Sequence, residues 1–163
     1  MDIEVRRARP DEWRQLRALR LRALADAPSA FWETLAEAQA RPEAEWHERA
    51  QETLDRVTFV AERVGAWLGM ATGLAHPSDA TASRLVGMFV DATARGSGAS
   101  GALVEAVCDW ARARGSERIY LWVNVENGPA LALYRRCGFK PTGEEQPIPH
   151  TPGLMEMRMV RWL

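Results

Sequence analysis

The sequence predicts a mixed α/β fold built as one domain over residues 1–163. Three observations predict it. Apolar runs of strand length alternate with segments of helical period, a glycine-rich turn joins a buried strand to a helix, and a second strand–helix unit closes on a Gly-Phe pair. With 163 residues, 47% hydrophobic and 26% charged, the chain can bury a sizeable core.

Taken in order, residues 3–8 read as a short strand, and Pro10-Asp11 starts a helix to about Ala25, with Trp13, Leu16, Leu19 and Ala23 near helical spacing. Pro28 breaks it. Ser29-Ala30-Phe31-Trp32-Glu33 reads as an apolar connector followed by polar sequence, and Pro42 sits in the first turn of a second helix carrying Trp46, Ala50 and Leu54. Residues 58–61 and 66–71 form two strands about a turn at Val64-Gly65. Residues 84–90 form a buried strand, 102–114 a helix, 118–123 a strand and 129–136 a last helix closed by Gly138. Two further strands, at 139–141 and 155–160, flank a proline-rich loop. The order is β-α-α-β-β-β-α-β-α-β-β.

Composition narrows the function. A net charge of −1 offers no global field for nucleic acid. No apolar run reaches the roughly 18 residues of a membrane span, and the acidic opening (Asp2, Glu4) lacks a signal-peptide pattern, so a cytoplasmic protein is expected. Arg14, Arg17, Arg20 and Arg22 read as the solvated face of the first helix. Cys108 and Cys137 fit neither a disulfide framework nor a zinc site, and no metal is expected. Seven tryptophans are enough to line a pocket as well as a core.

The turn Arg95-Gly96-Ser97-Gly98-Ala99-Ser100-Gly101 lies between a buried strand and a helix. Small residues there let main-chain N–H groups approach an anion, which makes a diphosphate cradle. A P-loop reading fails because Ala102 stands where the phosphate lysine belongs. Gly96-x-Gly98-x-x-Gly101 matches a dinucleotide fingerprint, but the strand after the turn's helix ends in Val123-Asn124 rather than in the required acid, which makes that reading a minor alternative.

Downstream, Asn127-x-x-Ala130-x-x-Leu133-Tyr134-x-x-x-Gly138-Phe139 resembles the second signature of the GNAT superfamily of acetyl-CoA-dependent N-acetyltransferases. Arg95-x-x-Gly98-x-Ser100 resembles the first, departing only at Ser100. The resemblance implies a central mixed, mostly antiparallel sheet of about six or seven strands flanked by four helices. It implies that main-chain groups of Met88, Phe89 and Val90 pair with the pantetheine arm of acetyl-CoA where two strands splay. Arg95, Gly96, Ser97, Gly98, Ala99, Ser100 and Gly101 would hold the pyrophosphate, Asn127 the pantetheine, and Tyr134 would protonate the departing thiolate as general acid. The resemblance is also compatible with a homodimer.

Residues 85–90 offer no acid as general base, and Trp122 stands where relatives acting on protein N-termini often carry Glu. His76, His150, Glu33, Glu126 and Asp91 are alternative bases, as is an amine that needs none. Family architecture implies an acceptor groove walled by Phe31, Trp32 and Glu33 and by residues 144–153, suited to a small cationic or amphipathic amine. The leading expectation is acetylation of a primary amine of a small molecule. Acetylation of a protein lysine or N-terminus, and a non-catalytic acyl-CoA sensor, stand beside it.

Overall fold

The computed structural model describes residues 2–163. Seven strands, β1 (Glu4–Arg7), β2 (Arg56–Arg63), β3 (Ala66–Ala75), β4 (Ala82–Val90), β5 (Arg118–Asn124), β6 (Lys140–Pro147) and β7 (Met155–Trp162), form one sheet in the order β1-β2-β3-β4-β5-β7-β6. Every neighbouring pair is antiparallel except β4 with β5. The β2–β3 hairpin closes through Val64 and Gly65, both at positive φ, the backbone that a two-residue turn needs to match strand twist. The helices are α1 (Trp13–Asp26), α2 (Leu35–Ala40), α3 (Glu43–Ala50), α4 (Ala99–Ala113) and α5 (Gly128–Arg136).

Helix α2 is one more than the sequence predicts. The stretch after Glu33 reads as merely polar, yet Thr34 and Glu37 form a reciprocal cap: Glu37 N–H donates to Thr34 Oγ1 at 3.1 Å, and Thr34 N–H donates to Glu37 Oε2 at 3.4 Å. The polarity is the helix start signal. Arg20 also departs from expectation. It belongs to no solvated face but lies inward, with its guanidinium over the Phe31 ring at 4.5 Å and its Nε 3.3 Å from Glu33.

Strand alternation divides the molecule into two cores. On one face, Val57, Phe59, Ala71, Leu85, Ile119, Leu121 and Val123 pack against α4 and α5. On the other, Val60, Met70 and Phe89 pack against Leu16, Leu19 and Trp46 of α1 and α3. Gly73 sets the approach of α4: a Cβ there would lie 2.7 Å from a ring carbon of Trp110.

The parallel β4–β5 ladder is short. It pairs Ala82, Ser83 and Arg84 with Arg118, Ile119 and Tyr120, and then the strands part. Beyond that point β4 bulges at Gly87 and Met88 opposite Ala71, with Gly87 at φ +62°. A bulge adds twist to its strand, which carries β4 away with β3 while β5 stays with β7.

Two predictions follow from this packing. Gly73→Ala should cost about 1–3 kcal/mol in urea unfolding, because neither strand nor Trp110 ring can yield cheaply. Hydrogen bonds from Arg6 hold the Glu12 and Glu62 carboxyls below their ordinary range. At Glu33 burial pushes upward, but Arg41, Arg49 and Arg20 together overcome it, so this carboxyl too is lowered. A carboxyl whose pKa is lower folded than unfolded contributes stability above the unfolded value, lost as pH falls through the folded one. The urea midpoint should therefore fall steeply below about pH 4, and less steeply in Arg6→Met.

Candidate active site

After β4 the chain turns through Gly96 and Gly98, both at positive φ, and enters α4 with Gly98 as its cap residue. Ala99 N–H is taken by Ser97 Oγ at 3.3 Å, while Ser97 Oγ donates to Ala94 O. The N–H groups of Gly96, Gly98, Ser100 and Gly101 have no partner among the described residues. A Cβ added at Gly96, Gly98 or Gly101 would meet nothing within 4 Å, so the space above these amides is open. Unpartnered donors at the start of a 15-residue helix suit phosphate oxygens. They are main-chain donors, which is why Ser100 is a tolerable departure. Arg95 is exposed beside them, its Nε 3.4 Å from Val90 O.

The parting of β4 from β5 leaves Phe89 and Val90 paired only toward β3, through Met70–Phe89 and Gly69–Val90, with Met88 in the bulge beside them. Their other edge is free to accept a further extended segment. Across the gap, Asn127 caps α5, its Oδ1 accepting from Ala130 N–H at 3.2 Å, which leaves its side-chain NH2 for a ligand. Tyr134 is 6% exposed, its ring edge-on to Phe139 at 5.9 Å, and its hydroxyl has no hydrogen bond among the described residues. Burial pushes its phenol above the ordinary value, with Cys137 adding to the push, so it stays protonated at neutral pH. Cys137 is itself raised by burial and remains a thiol.

On the face opposite α4 lies a cleft of about 800 Å³ whose lining includes Phe31, Trp32, Glu33, His76 and Trp122 together. Two ties stitch its walls. Trp32 Nε1 donates to Glu156 Oε1 at 2.8 Å, and His150 Nε2 donates to the Phe31 carbonyl at 2.5 Å. The second tie docks the β6–β7 loop onto the α1–α2 connector and occupies His150.

The charge in this cleft differs from that of the groove for a cationic or amphipathic amine expected from the sequence. Glu33 is already held by Arg20, Arg41 and Arg49, which removes it as a base or as the ion-pair partner of an amine. Glu144 pairs with Arg158. His76 is lowered by burial and then by Arg158 and Arg84, and both ring nitrogens face donors, Ser78 N–H at 3.2 Å and the Arg158 guanidinium at 3.5 Å. A neutral imidazole has one lone pair for these two donors.

Sequence reasoning missed Glu156. It is 5% exposed, and its Oε1 accepts from both Trp32 and Gln146, at 2.8 and 2.7 Å. Its Oε2 has no partner among the described residues, and of the three buried glutamates it alone lacks an arginine. The signal was available: Glu156 and Arg158 alternate with apolar Met155, Met157 and Met159, as a strand with one polar face requires.

Comparison with known proteins agrees with this geometry. The family model described as "Acetyltransferase (GNAT) family" matches residues 16–139. Mycothiol acetyltransferase of Salinispora tropica is 34% identical over 125 residues, 75% of this chain and 39% of that protein. The corresponding protein of Beutenbergia cavernae is 31% identical over 76% of this chain and 40% of its own length. The chain thus spans about two-fifths of these curated relatives. Among solved structures, the ribosomal-protein-alanine N-acetyltransferase of Brucella melitensis superposes with a TM-score of 0.80 at 26% identity, covering 98% of this chain and 99% of that one. A Salmonella typhimurium acetyltransferase solved with its cofactor acetyl-CoA gives 0.81 at 20% identity, covering 100% and 95%. The matched span holds the glycine turn, the parted strands and the helix of Tyr134, and the chain belongs to the acetyltransferase (GNAT) family.

Proposed function

We propose that this protein transfers the acetyl group of acetyl-CoA to a primary amine of a small molecule. The observation that carries the reading is a row of unpartnered amides opening α4, immediately downstream of an unpaired β4 edge. Acetyl-CoA supplies the acetyl group as an activated thioester. Gly96, Gly98, Ser100 and Gly101 donate N–H groups to its diphosphate, Arg95 adds a cation, and Ser97 and Ala99 shape the turn. Met88, Phe89 and Val90 lend main-chain groups to the pantetheine, and the Asn127 side-chain NH2 donates to it.

Tyr134 acts as general acid toward the departing sulfur, its protonated phenol facing a thiol of ordinary pKa about 8.5. Glu156 acts as general base: its Oε1 is fixed by Trp32 and Gln146, and Oε2 takes the proton of the acceptor ammonium. Phe31, Trp32 and Trp122 wall the carbon skeleton of the acceptor. The ties between Trp32 and Glu156 and between Phe31 and His150 favour a small acceptor over a protein segment. The name of the mycothiol acetyltransferase relatives agrees with a small acceptor.

Free-CoA release over a panel of amines tests the assignment. Tyr134→Phe should lower kcat about 100-fold or more while the KM for acetyl-CoA stays near wild type; an undiminished kcat removes the acid role. Glu156→Gln keeps the acceptor for Trp32 but loses the base. Its rate at pH 7 should drop about 100-fold and recover as pH approaches the acceptor amine's own pKa. A pH–rate profile unchanged from wild type would reassign the base.

A further inference from the structure

The cleft holds more positive charge than its own carboxylates balance. Six arginines line it, Arg20, Arg41, Arg49, Arg56, Arg84 and Arg158, against three glutamates, Glu33, Glu37 and Glu156. Arg41 and Arg158 are further offset by Glu45 and Glu144, and Arg20 and Arg49 share Glu33. Arg56 and Arg84 have no carboxylate. The Arg56 side chain makes no hydrogen bond or ion pair among the described residues, and its Nε is buried without a partner. Arg84 uses only Nε, on Ala75 O at 3.2 Å.

The sheet places these two together. Leu74 of β3 pairs with Arg56 on one side and Arg84 on the other, so the arginines stand on one face in one row, about 10 Å apart at the α-carbons. Both side chains are long enough to converge between them. An arginine withdrawn from water without a partner is costly, and its planar fork matches a carboxylate or phosphate. Burial pushes both guanidinium groups below their ordinary values, with Arg49 and Arg20 pushing Arg56 further.

We propose that the acceptor carries an oxyanion, a carboxylate or a phosphate, on the end remote from its reacting amine, and that Arg56 and Arg84 bind it. This rests on the acetyl-transfer reading and names the substrate class for that cleft. The remoteness follows from register. Arg84 pairs with Tyr120 at the closed end of the β4–β5 ladder, whereas Glu156 pairs with Asn124, four residues further along β5 or about 13 Å at the backbone. The inward reach of the side chains shortens that span, but several bonds remain between anion and amine.

The test uses five-carbon primary amines ending in methyl, hydroxyl, carboxylate or phosphate. The anionic members should show kcat/KM at least about 10-fold above the neutral ones, and the ranking of carboxylate against phosphate identifies the group. Arg56→Gln should bring the anionic-to-neutral ratio close to one. Its melting temperature without ligand should equal or exceed wild type, since it removes a charge that pairs with nothing. Equal rates for neutral and anionic amines overturn the inference and leave the acetyl-transfer reading intact. If no amine turns over, that reading fails, and the anion site is judged by melting temperature alone. Inorganic phosphate should stabilise wild type more than chloride does at equal ionic strength, and Arg56→Gln should lose that difference. Identical stabilisation of both proteins overturns the site.

Discussion

The β4–β5 ladder lasts three residue pairs, and the separation that follows is the constraint on which the rest of the molecule depends. A closed sheet would separate its two faces completely. Here α4, α5 and Tyr134 lie on one face, and the arginine-lined cleft lies on the other. Only the gap between the parted strands lets one bound molecule touch both. The separation is maintained from both sides: the Gly87–Met88 bulge steers β4 with β3, and the full β5–β7 ladder from Arg118 to Asn124 holds β5 in the opposite direction. A residue with a Cβ at Gly87 would have to adopt positive φ, so the bulge depends on glycine at this one position.

The two halves of the site use different chemistry. The half toward α4 presents main-chain N–H groups, left accessible because the side chains of the turn are small. The cleft half is lined by side chains brought in from nine segments: α1, the connector, α2, α3, β2, β3, β4, β5 and β7. Its balance is delicate. Glu33 neutralises one of the three arginines around it, Glu45 helps with Arg41, and Arg56 lies close enough to feel Arg20 and Arg49. Removing the Glu33 carboxylate would leave like charges facing one another in a partly dry space, a loss of about 3–5 kcal/mol for a buried pair broken on one side.

That difference explains what the sequence made legible. The glycine turn and the Asn127–Phe139 stretch are contiguous, so their spacing can be read directly, and six of the strands follow from apolar runs and turn residues; β6 continues to Pro147, beyond the strand read at 139–141, because its exposed polar residues carry no apolar alternation. The extra helix α2 was hidden because Thr34 and Glu37 look like loop residues until they are recognised as a cap. The cleft was hidden for a deeper reason. Arg20, Arg56, Arg84 and Glu156 are scattered over 137 positions, numbers 20 to 156, and only strand register gathers them. One local clue existed. Arg56 and Thr58 in β2 and Glu156 and Arg158 in β7 are polar residues two positions apart, and by register Thr72 and Arg84 share their face, so one face of the sheet carries a polar lining.

The same clue bears on why the roof of the cleft is built as it is. Trp32 is 55% exposed, a poor position for an indole whose only task is to bury area. Its N–H, however, fixes one oxygen of Glu156 and so leaves the other oriented. His150 anchors the preceding residue through the Phe31 carbonyl, and Arg20 stacks on the Phe31 ring. The connector is thus held at Phe31 from both sides, and Trp32 is positioned as a consequence. Glu156 is held by the neutral donors Trp32 and Gln146, whereas Glu33 is committed to three arginines, and that is the physical distinction between the two carboxylates within one cleft.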